Sequence, residues 1–295
     1  MKYVLLSDVH FSSSQTRSRK ENMLSVGVSK LFNIFNQGLP VLQAGDLFDK
    51  PRDFEALFEM TEILRKFKQE FYFVAGQHDS YFRTGKASSA YFLSRFGYGH
   101  LLYNDKKEKY KRCGLDKIYG SGWGEEIPIV KKNDQGKNIL ICHAPISDAP
   151  LWPGHHFTKA EDFLSKHNSF DLILCGDVHK YFVREQEGRY CINTGPLIRR
   201  SIIEKKHAPR FIVYDSTKNT IEEKKIKHDN KHWDRQQAEQ DNKIKKIAEE
   251  FIDMIRNDNI LEIDAVFILE KILLKNKHKI EEGVIKIIEE IKGAK

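Results

Sequence analysis

Asp8 with His10, Asp46 with Asp49, Gln77 with His78 and Asp79, His143, and Asp177 with His179 form an ordered series of carboxylate, imidazole and amide side chains. Each group follows a short apolar run. Carboxylate and carbonyl oxygens together with imidazole nitrogens are the donors that hold divalent cations. Taken singly, an Asp-x-His or a Gly-Asp-x-x-Asp is as good a turn former or helix cap as a ligand pair. Taken in series, each just past a strand end, they fall on one rim. A rim crowded with such donors is a dinuclear metal site.

The strands that must carry the series are Tyr3 to Leu6, Val41 to Ala44, Phe71 to Ala75, Ile139 to Cys142 and Asp171 to Cys175, continuous apolar runs of the kind buried on both faces. Helix-period stretches lie between the first three, at about Glu21 to Asn36 and Asp53 to Gln69. The order β-α-β-α-β predicts a parallel sheet with right-handed crossovers. In such sheets ligands bind beyond the carboxyl ends of the strands, where the series lies.

The series resembles the calcineurin-like metallophosphoesterases, whose pattern is D-x-H, G-D-x-x-D, G-N-H-[D/E], H and G-H-x-H, across residues 1 to 215. Two positions depart from it. Gln77 stands where the family has Asn, and Asp177 where it has the first His of the last motif. The resemblance implies an α/β/β/α sandwich of two sheets between helices. It also implies that Asp8, His10, Asp46 and His179 hold one metal, and that Asp46, Gln77, His143 and Asp177 hold a second, bridged by Asp46. Both departures fall on the second position and move its donors toward oxygen. That favours manganese, or magnesium, over zinc. A Gln77 that merely supports the ligands is the competing reading.

The same resemblance gives His78 the task of stabilising the transition state or protonating the leaving oxygen. It makes Asp49 and Asp79 residues that orient the ligating histidines or the His78 ring. Protein phosphatases of the superfamily carry Arg-Gly after the second motif and Glu after the third-motif His; here Lys50-Pro51 and Asp79 stand there. Lipid A precursor hydrolases replace the third-motif His with Arg. The Gly-Asp-Leu-Phe-Asp wording and Asn193-Thr-Gly-Pro-Leu-Ile-Arg-Arg200 are most similar to the nuclease subunit of SbcCD and MRN-type complexes of DNA break repair and recombination. The implied activity is a manganese-dependent exonuclease or endonuclease with a two-metal mechanism. The alternatives are a phosphodiesterase for a nucleotide or other small molecule, and a non-catalytic DNA-end-binding subunit with one metal.

Charge is consistent with a polyanionic substrate. The formal net charge is +7, and residues 216–295 carry 17 Lys plus Arg against 17 Asp plus Glu, so the excess lies in residues 1–215, 32 against 25. Arg17, Arg19 and Lys20 follow His10, and Arg199 and Arg200 follow the last motif, so both clusters are candidates for holding phosphates. Solvated loops are the bland reading. Tyr81, after the third motif, and the aromatic loop Trp152 to Phe157 are candidates to stack bases or to cap the sheet.

At 295 residues and 40% hydrophobic content the chain can bury one large core plus an appendage. We expect a phosphoesterase domain over 1–228 and a helical extension over 229–295. The first apolar run is too short for a signal peptide and no stretch approaches a membrane span, so a cytoplasmic protein is expected. Cys113, Cys142, Cys175 and Cys191 lack C-x-x-C spacing and are expected to be reduced and buried. Beyond Arg235, apolar residues at helical spacing, among them Ile244, Ile247, Phe251 and Ile255, sustain no heptad. That tail resembles the segment by which such nucleases dock on an SMC-like (SbcC-type) ATPase; packing on its own domain is the other reading. Expected partners are DNA, that ATPase and a second copy of the chain.

Overall fold

A computed structural model describes residues 1–16, 19–80, 87–103, 110–150, 156–228 and 230–233. In chain order the elements are β1 (Lys2–Leu6), α1 (Met23–Phe35), β2 (Val41–Gln43), α2 (Phe54–Phe67), β3 (Phe71–Phe73), α3 (Ser89–Arg95), β4 (His100–Leu101), β5 (Lys111–Cys113), β6 (Asp116–Ser121) and β7 (Asn138–His143). There follow β8 (Ile146–Ser147), β9 (Thr158–Lys159), α4 (Ala160–Lys166), β10 (Leu172–Gly176), β11 (Phe182–Gln186), β12 (Arg189–Asn193), a 3-10 helix at Ile202–Lys206, β13 (Arg210–Asp215) and β14 (Thr220–Lys225).

Two six-stranded sheets result, in the orders β14-β13-β1-β2-β3-β4 and β11-β12-β10-β7-β6-β5. β1 to β4 pair in parallel with antiparallel β13 and β14 on one edge, and β6, β7, β10 and β12 pair in parallel between antiparallel β5 and β11. Side-chain alternation builds the layers. On β1, Tyr3 and Leu5 join the core between the sheets, while Val4 and Leu6 join the core under α1, α2 and α3. On β7, Ile139 and Ile141 face the sister sheet and Leu140 and Cys142 pack toward α4. The period of two, with both faces buried, makes the α/β/β/α sandwich that the sequence led us to expect.

The helices have ordinary causes. The α1 residues Met23, Gly27, Lys30, Leu31 and Ile34 are buried at helical spacing, and Asn22 caps the helix by accepting the Ser25 N–H at 3.0 Å. α2 buries Ala56, Leu57, Met60, Ile63 and Leu64 and ends at Lys68 in the left-handed region, φ 56°. All four cysteines are buried and free of disulfides. No helix among the described residues is long and apolar enough to cross a membrane.

Expected elements recur with trimmed ends: β3 stops at Phe73, and α1 and α2 are shorter than their periodic stretches by two residues or fewer at each end. β14 is the last edge strand of the first sheet. Sequence patterning did not find β4, β5, β6, β8, β9, α3 or α4. The most consequential of these is β6, which is mixed in polarity yet nearly all buried and lies beside β7. Residues Met1–Asp234 form one compact unit. The helical extension expected over 229–295 lies outside the described residues, apart from 230–233.

Asp53 joins the loop after β1 to the start of α2. Its carboxylate accepts the Ser12 hydroxyl, the Ser13 N–H and hydroxyl, each at 2.8 Å, and the Ala56 N–H at 3.1 Å. Burial pushes this carboxyl up, but the hydrogen bonds from Ala56, Ser13 and Ser12 outweigh it and hold it below its ordinary 3.8. Its contribution is therefore complete above that value and lost as the pH falls below it. Urea unfolding of Asp53→Ala is expected to show a loss of about 2 kcal/mol at pH 7, with a smaller gap from wild type near pH 3. Equal stability at pH 7 would contradict this role.

Candidate metal centre

The carboxyl ends of β1, β2 and β3 and those of β7 and β10 meet on one edge of the sandwich. Asp8 lies two residues past β1, Asp46 three past β2, Gln77 four past β3, His143 ends β7, and Asp177 follows β10. Contacts join the two sheets there: the Asp177 N–H donates to Asp8 Oδ1 at 2.9 Å, and Gln77 Oε1 lies 2.7 Å from His143 Nε2. Among the described non-glycine residues with positive φ, His10 (52°), Asp46 (51°) and Asp177 (91°) belong to this edge. Such backbone costs about 1–3 kcal/mol per residue and persists where surrounding structure fixes it.

Two glycines admit the close approach. A Cβ on Gly45, which has φ 83°, would stand 2.2 Å from His143 Nδ1, and one on Gly76 would stand 2.0 Å from Asp46 Oδ1. Neither position tolerates a side chain, so the Gly-Asp and Gly-Gln wording is steric in origin.

Asp46 sits at the middle. Its Oδ1 accepts the His78 N–H at 2.9 Å, while Oδ2 lies 3.8 Å from His10 Nε2 and 3.6 Å from His143 Nε2. That oxygen and Asp8 Oδ2 are buried and have no hydrogen-bond partner. Unpaired buried carboxylate oxygens are costly unless a cation meets them. Asp8 is grouped with His10 and His179, and again with Asp46 and His143, within the reach of a single ion in each case.

The imidazoles give the same answer. His143 Nδ1 lies 2.7 Å from the Ala44 carbonyl, which can only accept, so Nδ1 carries a proton and Nε2, 2.7 Å from Gln77 Oε1, is the nitrogen that faces the site. His179 Nδ1 lies 2.8 Å from Glu204 Oε1, and His10 Nδ1 is 3.4 Å from Asp49 Oδ1. His10 Nε2 and His179 Nε2 lie 2.9 Å apart, and His10 Nδ1 has no hydrogen-bond partner. Ring nitrogens this close are what two ligands of one cation present once the cation has displaced the ring protons. The donor set thus fits two divalent ions, one at Asp8, His10 and His179 and one at His143, Gln77 and Asp177, with Asp46 between them.

Electrostatics follow from the geometry. Burial, then the neighbouring carboxylates Asp79 and Asp8, push the Asp46 carboxyl well up. Burial lowers His10. Burial would also lower His179, but Glu204 and Asp8 outweigh it and raise the ring to about 9. Burial raises Asp49, yet His10 and Arg200 together hold it below its ordinary value.

The remaining candidates divide. His78 is exposed, its Nδ1 held by the Asp49 carbonyl at 2.9 Å and its ring edge-on to His10 at 4.9 Å. Asp49 lies between His10 and Arg200, whose Nη2 is 3.0 Å from Asp49 Oδ2. Gln77 Nε2 donates to Asp177 Oδ1 at 2.9 Å. Asp79 does not touch a histidine: its carboxylate accepts the N–H groups of Leu47, Phe48 and Gly76 at 2.9 to 3.0 Å, so it ties two ligand loops together through their backbones.

Arg199 and Arg19 do not hold phosphates at the rim, as the sequence suggests, because both are buried. Arg199 is wholly buried, donating to the Lys205 and His207 carbonyls and to Asn230 Oδ1. Arg19 is buried, pairs with Glu21, donates to the Arg199 carbonyl and lies over the Trp233 ring. Both are buried and held by protein groups. Lys20 is exposed, with its N–H on the His232 carbonyl. Arg17 and Tyr81, with most of the Trp152 to Phe157 loop, lie outside the described residues. Glu204 escaped sequence reasoning, since it stands in the run Ile202-Ile-Glu-Lys-Lys206, which belongs to no motif.

A sequence model described as calcineurin-like phosphoesterase matches residues 1–181. No curated protein sequence matches the chain. Among solved structures, an archaeal phosphodiesterase is 17% identical over 77% of this chain and 100% of its own, with a TM-score of 0.43. The protein TT1561 of Thermus thermophilus is 12% identical over 77% and 99%, TM-score 0.45. Vps29 of Entamoeba histolytica, solved with zinc, is 15% identical over 77% and 98%, TM-score 0.39. Likenesses at this level carry no argument about function.

Because metal-free Asp46 holds its proton above the ordinary carboxylate range, an entering cation must displace it. Calorimetry in buffers of different ionisation enthalpy is expected to show proton release on Mn2+ binding at pH 7 and tighter binding as the pH rises. Asp46→Asn is expected to lose most of the affinity. Binding that neither releases protons nor depends on pH would contradict the arrangement.

Proposed function

The chain belongs to the calcineurin-like phosphoesterase family, and from that premise we propose that it is a two-metal, manganese-dependent DNA nuclease of the SbcD type. The observation that carries the two-metal reading is the position of Asp46 Oδ2, buried, without a donor, and 3.8 and 3.6 Å from imidazoles of the two ligand groups. Oxygen donors from Gln77 and Asp177 at one position support manganese or magnesium over zinc. Support for a nucleic acid comes from the basic excess in residues 1–215 and from the exposure of His78 and His179 at the rim.

Bound divalent ions supply charge neutralisation of the phosphodiester and acidify the attacking water. The chain's own part is positioning and proton transfer. The Asp49 carbonyl holds the proton on His78 Nδ1, so Nε2 is the atom that exchanges a proton with the leaving oxygen. Asp46 Oδ1 fixes the His78 backbone through its N–H, which keeps that ring next to the bridging carboxylate. Arg200 compensates the charge of Asp49 and so keeps it ionised beside His10. As partner we propose an SMC-like ATPase docking through 229–295, on the sequence character of that segment.

A second reading draws on the bond between Gln77 and Asp177, through which the two substituted positions satisfy one another. In that reading the chain binds DNA ends with a single ion and hydrolyses nothing.

The discriminating experiment offers labelled duplex DNA, single-stranded DNA and bis-p-nitrophenyl phosphate with Mn2+, Mg2+ or Zn2+. DNA cleavage, fastest with manganese, is expected. Turnover of the small diester with no cutting of either DNA under any metal would move the assignment to a small-molecule phosphodiesterase. His78→Ala is expected to keep its metal and to lose about 100-fold or more in turnover. Loss of metal from that variant would remove His78 from its proposed task.

A further inference from the structure

His143 and His179 are oriented by different kinds of group. The His143 ring is set by the Ala44 carbonyl, part of the sheet frame just past β2. The His179 ring is set by Glu204, on a short 3-10 helix outside both sheets. Glu204 uses both its oxygens: Oε1 faces His179 Nδ1 at 2.8 Å, and Oε2 accepts the N–H groups of Arg200 at 2.7 Å and Ser201 at 3.0 Å. A carboxylate engaged at both ends cannot turn away from the imidazole. Its side chain is only 11% exposed.

The segment carrying Glu204 is fixed from behind. Arg199 donates through Nη1 to the Lys205 carbonyl at 2.8 Å and to Asn230 Oδ1 at 2.8 Å, which pins the end of the 3-10 helix to the buried interior. Arg200, next in the chain, reaches Asp49, whose other oxygen faces His10 Nδ1. One stretch of six residues therefore bears on both imidazoles of the position shared with Asp8, and on neither side chain substituted at the other.

We propose that Glu204 is a positioning residue that fixes the Nδ1–H of His179 and so aims its Nε2 lone pair at the ion held with Asp8 and His10. This deepens the two-metal reading and rests on it. A carboxylate behind a ligating histidine fixes the tautomer and makes the ring a better donor, and losing such a partner typically costs 10- to 100-fold in metal affinity. It follows that the two metal positions respond separately: disturbing Glu204 weakens one and spares the other.

The test uses the full chain. Mn2+ binding is followed by calorimetry, and the His179 ring by 15N-edited NMR of metal-free protein, with circular dichroism to establish folding. Glu204→Ala is expected to weaken one of two binding events about 10- to 100-fold, to leave the other at its wild-type value, and to lose the slowly exchanging His179 Nδ1–H signal. Glu204→Gln, which keeps an acceptor oxygen without the charge, is expected to retain that signal and to fall between. Wild-type affinity at both positions in folded Glu204→Ala overturns the proposal, and so does equal weakening of both. Should the alanine variant not fold, the glutamine variant decides alone: weakening at one position supports the role, and wild-type binding at both overturns it. A wild-type chain that binds no Mn2+ would overturn the metal reading beneath it instead.

Discussion

Two carboxylate oxygens, Asp8 Oδ2 and Asp46 Oδ2, are buried where no protein donor reaches them, and beside them the Nε2 atoms of His10 and His179, and His143 Nε2 with Gln77 Oε1, converge. The unpaired oxygens are unfavourable by themselves. A buried acceptor without a partner costs about 1–3 kcal/mol. A divalent cation held there would turn that cost into attraction. The site is thus an arrangement that the folded chain holds open at a cost and that bound metal relieves.

Holding it open takes a stiff frame, and the sandwich is built to be one. Parallel strands buried on both faces deliver their carboxyl ends to a common edge. The tight turns that follow place His10, Asp46 and Asp177 in left-handed backbone. Asp79 commits both its oxygens to three backbone N–H groups, so that the loops after β2 and β3 keep a fixed spacing. Gly45 and Gly76 let those loops come within contact of His143 and Asp46. The site's chemistry and the fold's packing are in this sense one set of constraints.

Much of this was legible in the sequence because the strands under the ligands are continuous apolar runs with a polar residue at the end. The strand ends located Asp8, Asp46, Gln77, His143 and Asp177 without any structure. Legibility failed where the pattern is carried by neither period nor motif. β6 mixes Asp, Lys, Tyr and Gly, and its burial comes from its neighbour β7. Arg199 and Arg200 are adjacent and chemically identical, yet one is wholly buried and the other lies beside Asp49. Only the path of the loop decides which. Asp79 follows His78 and was expected to serve a ring, but loop closure turns its carboxylate to backbone. Glu204, in a charged run with no repeat, shows its part only once the 3-10 helix is folded against His179.

The central claim is that Asp46 bridges two cations. The most direct measurement is anomalous diffraction from crystals of the chain grown with Mn2+. The account expects two anomalous peaks about 3.5 to 4 Å apart, both within bonding distance of Asp46, one against Asp8, His10 and His179 and the other against His143, Gln77 and Asp177. A single peak at saturating Mn2+, with Gln77 and Asp177 still bonded to each other, would contradict it.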